Sequence, residues 1–289
     1  MKAGKTNILF LFSLLISISL MGQRHELGLF GGGSYYIGDI NPKQQFAMTQ
    51  PAFGGIYRYN LNPHWAMRFN VFQGTVESSD AIIRYNAKRN LSFRSDITEI
   101  ALGMELNFFP YKTGEKKMRY APFIFAGLAY FKFNPQAKHL NTWYDLQPLG
   151  TEGQGTTAYP DRKPYTLGSF AIPFGIGAKF SLGKSISIAL EWGMRKTFTD
   201  YLDDISTTYA DPIILSAENS PLSAILADRT IYGLNEEPAN NVGKQRGNSS
   251  TNDWYSFAGI TLTFKIKTGK DDCPGMPKKT RKYKEYKYD

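Results

Sequence analysis

The feature that most restricts what this chain can become is the alternation in SISIALEWGMRKTF, residues 185–198. From Ile186 to Phe198 the even positions carry Ile, Ile, Leu, Trp, Met, Lys and Phe. From Ser187 to Thr197 the odd positions carry Ser, Ala, Glu, Gly, Arg and Thr. A period of two is a β-strand, whose successive side chains leave opposite faces. Eight segments read as strands: 25–35, 52–59, 65–74, 97–109, 121–133, 169–182, 185–198 and 254–266. The fifth is apolar on both faces, so its orientation stays open.

In the others one face is large and apolar, for example Trp65, Met67, Phe69 and Val71, or Ile100, Leu102, Met104 and Leu106. The opposite faces hold Glu26, Glu99, Glu105 and Glu191 together with Arg58, Arg68, Lys179, Arg195 and Lys265, interspersed with glycine. A soluble β-sandwich turns its charged face to water and has no use for glycine there. Near-balanced charge among small residues suits a crowded interior, and an eight-stranded barrel has a lumen just filled by its side chains. The oily faces then point outward to lipid. The expected fold is all-β: an eight-stranded antiparallel transmembrane up-and-down β-barrel. Its lumen charge network is Arg58, Arg68, Glu99, Glu105, Lys179, Glu191 and Arg195.

The connections give an independent indication. Segments 36–51, 75–96, 134–168 and 199–253 are long, while 60–64, 110–120 and 183–185 are shorter. Outer-membrane barrels alternate long extracellular loops with short periplasmic turns. Both chain ends are therefore expected in the periplasm. Aromatics gather near strand ends (Tyr35, Tyr36, Trp65, Phe108, Phe109, Tyr111, Tyr120, Trp254, Tyr255). An interfacial belt and ordinary strand enrichment account for them equally well. Pro173 fits badly, since a closed barrel has no edge for it, and it is expected at a rim or a bulge. Lys132 and Lys196 fall on the apolar register near strand ends, where a long side chain reaches headgroups.

The flanks complete the organisation. Lys2 and Lys5 precede an apolar run from Ile8 to Met21 and small residues, the pattern of a cleaved secretory signal over 1–22. The barrel is assigned to 23–267. Residues 268–289 form a basic tail with seven bases and four acids and no apolar periodicity, expected to be unstructured alone. Seven bases less four acids put a third of the formal charge of +9 there. Its adhesive reading, toward a periplasmic partner or anionic headgroups, rests on Lys278, Lys279, Arg281, Lys282 and Lys284. Cys273 is the chain's single cysteine, and in an oxidising compartment it suggests an intermolecular disulfide or a free thiol. Export leaves no role for nucleic acid.

Catalytic motifs are missing from the sequence. The histidines His25, His64 and His139 have no metal-ligand spacing. Asp200, Asp203, Asp204 and Asp211 lack the spacing of a calcium loop, so solvated or loop-capping roles are expected. Ser220-Pro221 opens a short helix over 221–229, with serine as cap and proline in the first turn. No cofactor is implied.

The stretches HELGLFGGGSYYIGDINP (25–42) and EWGMRKTFTDYLDDIST (191–207) resemble the PorG-type outer-membrane barrels of the Bacteroidetes type IX secretion system. The resemblance covers nearly the whole mature chain. It implies a non-catalytic component associated with a periplasmic ring of PorK-type lipoprotein and PorN-type protein. The contact surface would be the tail, Cys273 and the turns at 60–64 and 110–120. Two rivals stand beside it: a small outer-membrane transport or ligand-binding barrel, and an enzyme acting from its loops through Asp203, Asp204 and His139.

Overall fold

The computed structural model describes residues 25–234 and 236–266. The proposed signal segment 1–22 and the tail 268–289, with Cys273, Lys278, Lys279, Arg281, Lys282 and Lys284, lie outside the described residues. The barrel strands are β1 (His25–Ile37), β2 (Gln50–Asn60), β3 (Trp65–Ser79), β4 (Ser92–Asn107) and β5 (Tyr120–Lys132). After a small hairpin of β6 (Pro135–His139) and β7 (Thr142–Asp145) come β8 (Gly168–Ser181), β9 (Ile186–Thr197) and β10 (Trp254–Ile266).

The pairing runs β3-β2-β1-β10-β9-β8-β5-β4, and β3 pairs β4 from Trp65↔Leu106 to Ser79↔Ser92. Every pair is antiparallel and the ring closes on itself. The chain is thus a closed eight-stranded antiparallel barrel, in which no wall strand has an open edge. His25 pairs with Ile266, so both ends of the ring lie on the rim that carries the short turns.

Alternation sets the two faces. Along β3, Trp65, Met67, Phe69 and Val71 are exposed, while Ala66, Arg68, Asn70, Phe72 and Gly74 are buried. β5, apolar on both faces, turns Phe123, Phe125 and Phe131 inward and Ile124, Leu128 and Tyr130 outward.

Three expectations are corrected. Pro173 lies within β8, at neither rim nor bulge: the β8–β9 register is unbroken from Ala171↔Thr197 to Ser181↔Ser187. The β5–β8 ladder lapses between Ala126↔Phe174 and Ala129↔Ala171 without changing register. A residue with no N–H thus interrupts the pairing toward β5 and leaves the count intact. β3 and β4 run longer than the sequence pattern, because a paired extension from Thr75↔Asp96 to Ser79↔Ser92 rises above the wall. The 134–168 connection is not all loop, since β6 pairs with β4 at Arg94↔Gln136. The helix after Ser220 spans Pro221–Ala227, and the Ser220 hydroxyl accepts from Ser223 N at 3.1 Å.

Candidate functional site

The lumen is layered. Nearest the short turns, Glu105 accepts from Arg58 Nε at 3.1 Å and from Lys179 Nζ, and lies 3.6 Å from Arg68 Nη1. Glu191 faces Arg68 Nη2 at 3.1 Å and Arg58 Nη2 at 3.6 Å. These five groups, from β2, β3, β4, β8 and β9, form one network and are almost wholly buried. Arg58 also donates to the Thr263 hydroxyl at 3.1 Å. One layer up, Arg195 donates to Glu99 at 2.9 and 3.2 Å, and the Tyr255 hydroxyl donates to the same carboxylate at 2.8 Å. All seven of the lumen residues named from sequence therefore lie inside, divided between two clusters.

Phe123 and Phe125 are what the sequence pattern missed. The Arg68 guanidinium lies 3.9 Å from the Phe125 ring centroid, and Lys179 Nζ lies 5.0 Å from that of Phe123. A ring face attracts a desolvated cation, so these rings belong to the charge network. The glycines of the polar faces make room for them. A Cβ on Gly193 would come within 2.5 Å of Phe125 Cζ, and one on Gly175 within 2.7 Å. The signal lay in two facts that must be read together: large apolar residues on both faces of one strand, and glycine on the inner faces of others.

The short-turn mouth is closed by 108–119. Tyr111 and Thr113 are buried, Thr113 donates to Glu26 Oε1 at 2.7 Å, and Lys179 Nζ lies 4.9 Å from the Tyr111 centroid. Lys265 Nζ donates to Thr113 O at 3.4 Å. Tyr111 is thus a plug residue and not part of an interfacial belt. Tyr36 and Tyr255 are likewise internal, whereas Trp65, Phe108, Phe109 and Tyr120 are exposed at this end. Outside the plug, Lys112, Lys116, Lys117, Arg119 and Lys184 point to solvent alongside Glu115.

Above the Glu99–Arg195 pair the lumen turns aromatic. Phe30 stacks on Phe72 at 4.5 Å, and Phe72 meets Phe257 edge-on at 5.5 Å. The long loops cover this layer with an acidic cap. The Tyr36 hydroxyl is shared between Asp203 Oδ2 at 2.5 Å and Asp253 Oδ1 at 2.8 Å. Asp203 accepts from Ile205 N and Asp253 from Leu202 N. Burial pushes both carboxyls well above the usual range, and their neighbouring acids push them further. Asp200 is buried with only the Ser206 hydroxyl acting to lower it, and burial pushes it up to about 7.

The expected solvated or capping roles for the aspartates are therefore corrected in part. Asp211 caps, accepting from Ile213 N at 2.8 Å. Asp200, Asp203 and Asp204 are buried. Asp204 accepts from Thr151 and Tyr165 hydroxyls at 2.5 and 2.6 Å, and burial raises it to about 6. Arg246 donates to Glu152 at 3.0 Å and to the Asp204 carbonyl at 2.5 Å. Arg89 clamps Asp80 through two 2.8 Å hydrogen bonds and reaches the carbonyls of Asp39 and Arg246. His139, on the β6–β7 hairpin, makes no contact with Asp203 or Asp204. Among the described residues no group of three or more His, Cys, Asp or Glu side chains is arranged to hold a metal ion.

The outer wall is a third feature. Leu29, Phe53, Leu102, Leu128, Ile176 and Leu190 are each more than half exposed, and they ring the barrel from different strands. Wall strands of 11–16 residues are long enough for a hydrocarbon core, which a tilted strand crosses in about 9–11 residues. Lys132 and Lys196 are exposed on this outer register at the long-loop end. Loop residue Phe46 folds down over the wall there, packing against Tyr35 at 4.8 Å and Trp192 at 6.2 Å.

A family model described as a domain of unknown function, DUF6089, matches residues 5–214. No curated protein matches the sequence. Among solved structures, the chain is similar to Neisserial surface protein A (7% identity, 85% of this chain and 99% of that one, TM-score 0.41). It is also similar to the N-terminal β-barrel domain of Pseudomonas aeruginosa OprF (12%, 84% and 100%, TM-score 0.34) and to the outer membrane protein OprG of the same organism (10%, 84% and 98%, TM-score 0.37).

Proposed function

The chain belongs to the DUF6089 family, and on that premise we propose that it is a non-catalytic outer-membrane barrel of the type IX secretion machinery. In this reading the wall sits in the outer membrane with the long loops outside and both termini in the periplasm. The short-turn end and the tail 268–289 hold a periplasmic ring of PorK-type lipoprotein and PorN-type protein.

The observation that carries the reading is the pairing of an oily wall with a lumen blocked at every level. Exposed leucine, isoleucine and phenylalanine on all sides would drive a dissolved protein to aggregate, and they are stable against lipid. A plugged lumen suits an anchor better than a pore. The basic knuckle of Lys112, Lys116, Lys117 and Arg119 lies on the same rim from which the tail departs, so an acidic partner surface would meet both. The resemblance of residues 25–42 and 191–207 to PorG-type barrels supplies the identity of that partner. Cys273 is proposed as the point of an intermolecular disulfide.

The test is purification of the tagged chain from its own outer membrane after mild crosslinking, with mass spectrometry of the bound proteins. PorK-type and PorN-type proteins are expected, and they should be lost when Lys112, Lys116, Lys117 and Arg119 are all changed to Glu. Cys273→Ser should abolish a higher-mass species on non-reducing gels. Recovery of the barrel alone from cells with an intact secretion apparatus would sink the secretion role. A steady conductance in planar bilayers would favour the transport reading instead.

A further inference from the structure

We propose that the cleft where the cap meets the long-loop rim is a binding site for a neutral saccharide. Its volume is about 680 Å³, within the range of small-molecule sites. Tyr85, Asn86, Gln245, Asn252, Trp254 and Asp39 line it.

Three observations select the ligand class. The amides of Asn86, Gln245 and Asn252 are exposed, and among the described residues none spends its side chain on a hydrogen bond. Each amide offers donors and acceptors together, which matches hydroxyls that do the same. Tyr85 is 62% exposed with no ring partner among the described residues, and Trp254, half-buried, lines the cleft while meeting Phe174 edge-on at 6.0 Å. Ring faces of this kind take the C–H face of a sugar while the amides take its edge. The cations at the cleft are already used: Arg89 by Asp80, and Arg246 by Glu152. No unspent positive charge is left there for a phosphate or sulfate. Asp39 accepts from Asn248 N at 2.8 Å through Oδ2, and its other oxygen takes no hydrogen bond from the protein. A hydroxyl donor would satisfy it. Gly247 is packed so closely on Asp39 Oδ2 that a Cβ there would break this clasp.

Position adds a constraint. Ile37 and Trp254 are paired residues at the long-loop rim, so the cleft lies where the wall meets the cap. A sugar carried as a lipid headgroup and a free glycan would both reach it. An extended peptide would look for a strand edge, which the closed wall does not provide. The inference rests on the membrane placement proposed above and not on the secretion role, so binding can succeed where partner recovery fails.

The experiment uses the full chain in amine-oxide micelles, which contain no sugar. Maltotriose, mannotriose and galactotriose are titrated, each free and as its dodecyl glycoside, with thermophoresis of the labelled protein as readout. At least one is expected to saturate. Tyr85→Ala and Asn252→Ala should each weaken binding by about tenfold, the scale of one lost contact of this kind. Leu140→Ser, on the remote β6–β7 hairpin, should leave it unchanged. Heat-shifted gel mobility establishes that each variant is folded. Saturation by both forms identifies a free glycan and saturation by the glycosides alone a headgroup, and either supports the site. Failure of all six probes, binding that survives the Tyr85→Ala/Asn252→Ala double variant, or preference for a sulfated trisaccharide overturns it.

Discussion

The barrel lumen and the loop cap both bury ionisable groups, and they neutralise them by opposite means. In the lumen Glu99, Glu105 and Glu191 each face a cation supplied by another strand, and Glu26 at the short-turn mouth is held by the Thr113 hydroxyl. Glu105 alone is reached by Arg58, Arg68 and Lys179. In the cap, Asp203 and Asp253 meet a tyrosine hydroxyl and backbone N–H groups, while Asp200 has only the Ser206 hydroxyl beside it. The lumen is therefore held by charge, whereas the Tyr36–Asp203–Asp253 centre of the cap is held by hydrogen-bond donors and protons, with ion pairs (Arg89–Asp80, Arg246–Glu152) only around it. Removing a partner should injure the first, and changing pH should act on the second.

The largest effect is expected from Glu105→Ala. Three buried cations would lose their shared counter-charge, and breaking a buried pair costs about 3–5 kcal/mol. Urea unfolding of the barrel in lipid vesicles measures this. A loss no greater than that of an outward-facing Leu102→Ala control would show that lumen charges are compensated by water instead. Next comes Gly193→Leu. A side chain there must displace Phe125 or Arg195, and overpacking of this kind costs about 1–3 kcal/mol. Adding Phe125→Ala should recover part of the loss, because it vacates the space. A smaller decrease, about 1 kcal/mol beyond the packing change, is expected for Phe125→Leu through loss of the Arg68 cation–π contact.

This contrast also decides what could be read from the chain. Strand alternation placed Arg58, Arg68, Glu99, Glu105, Lys179, Glu191 and Arg195 on common faces because a period of two is a local property. It could not say that Glu99 and Arg195 separate from the other five, since that depends on the registers of five or more strands. Nor could it orient β5, where both faces are apolar and only the fit of Phe123 and Phe125 over inner glycines settles the matter. The cap was illegible for a stronger reason. Asp39 lies more than 150 residues of chain before Asp203 and Asp253, which come from the two ends of one long connection, and Tyr36 joins them from a strand end that looked like an interfacial belt. The cluster of Asp200, Asp203, Asp204 and Asp211 was visible, but its members go to three different neighbourhoods once folded.

The cap yields the subtlest prediction, and the one that separates the two regions most cleanly. Burial first, then the Asp39 and Glu152 carboxylates, raise Asp200 from an ordinary value near 3.8 to about 7. Asp204 rises to about 6, and Asp203 and Asp253 move the same way. An acid whose folded value lies above its unfolded one binds protons more tightly when folded. Its stabilising contribution is complete below about pH 4 and is lost as pH rises through about 7. The cap should thus loosen between about pH 4 and 7 while the lumen, with its paired charges, does not. Hydrogen exchange at Leu202 and Ile205, normalised to intrinsic rates, reads the cap, and the amides of Arg68 and Glu191 read the wall. Protection of the first pair should fall with pH while that of the second stays level. Asp200→Asn replaces the titrating oxygen with an amide that carries no charge at either pH, so it should shrink the cap's pH dependence and raise its protection at the alkaline end. If Asp200→Asn leaves the pH dependence untouched, then the protons reside on Asp203, Asp204 and Asp253 instead. Equal protection at both pH values in the unaltered chain would mean that the cap's acids are neutralised as completely as those in the lumen, and the distinction between the two regions would fail.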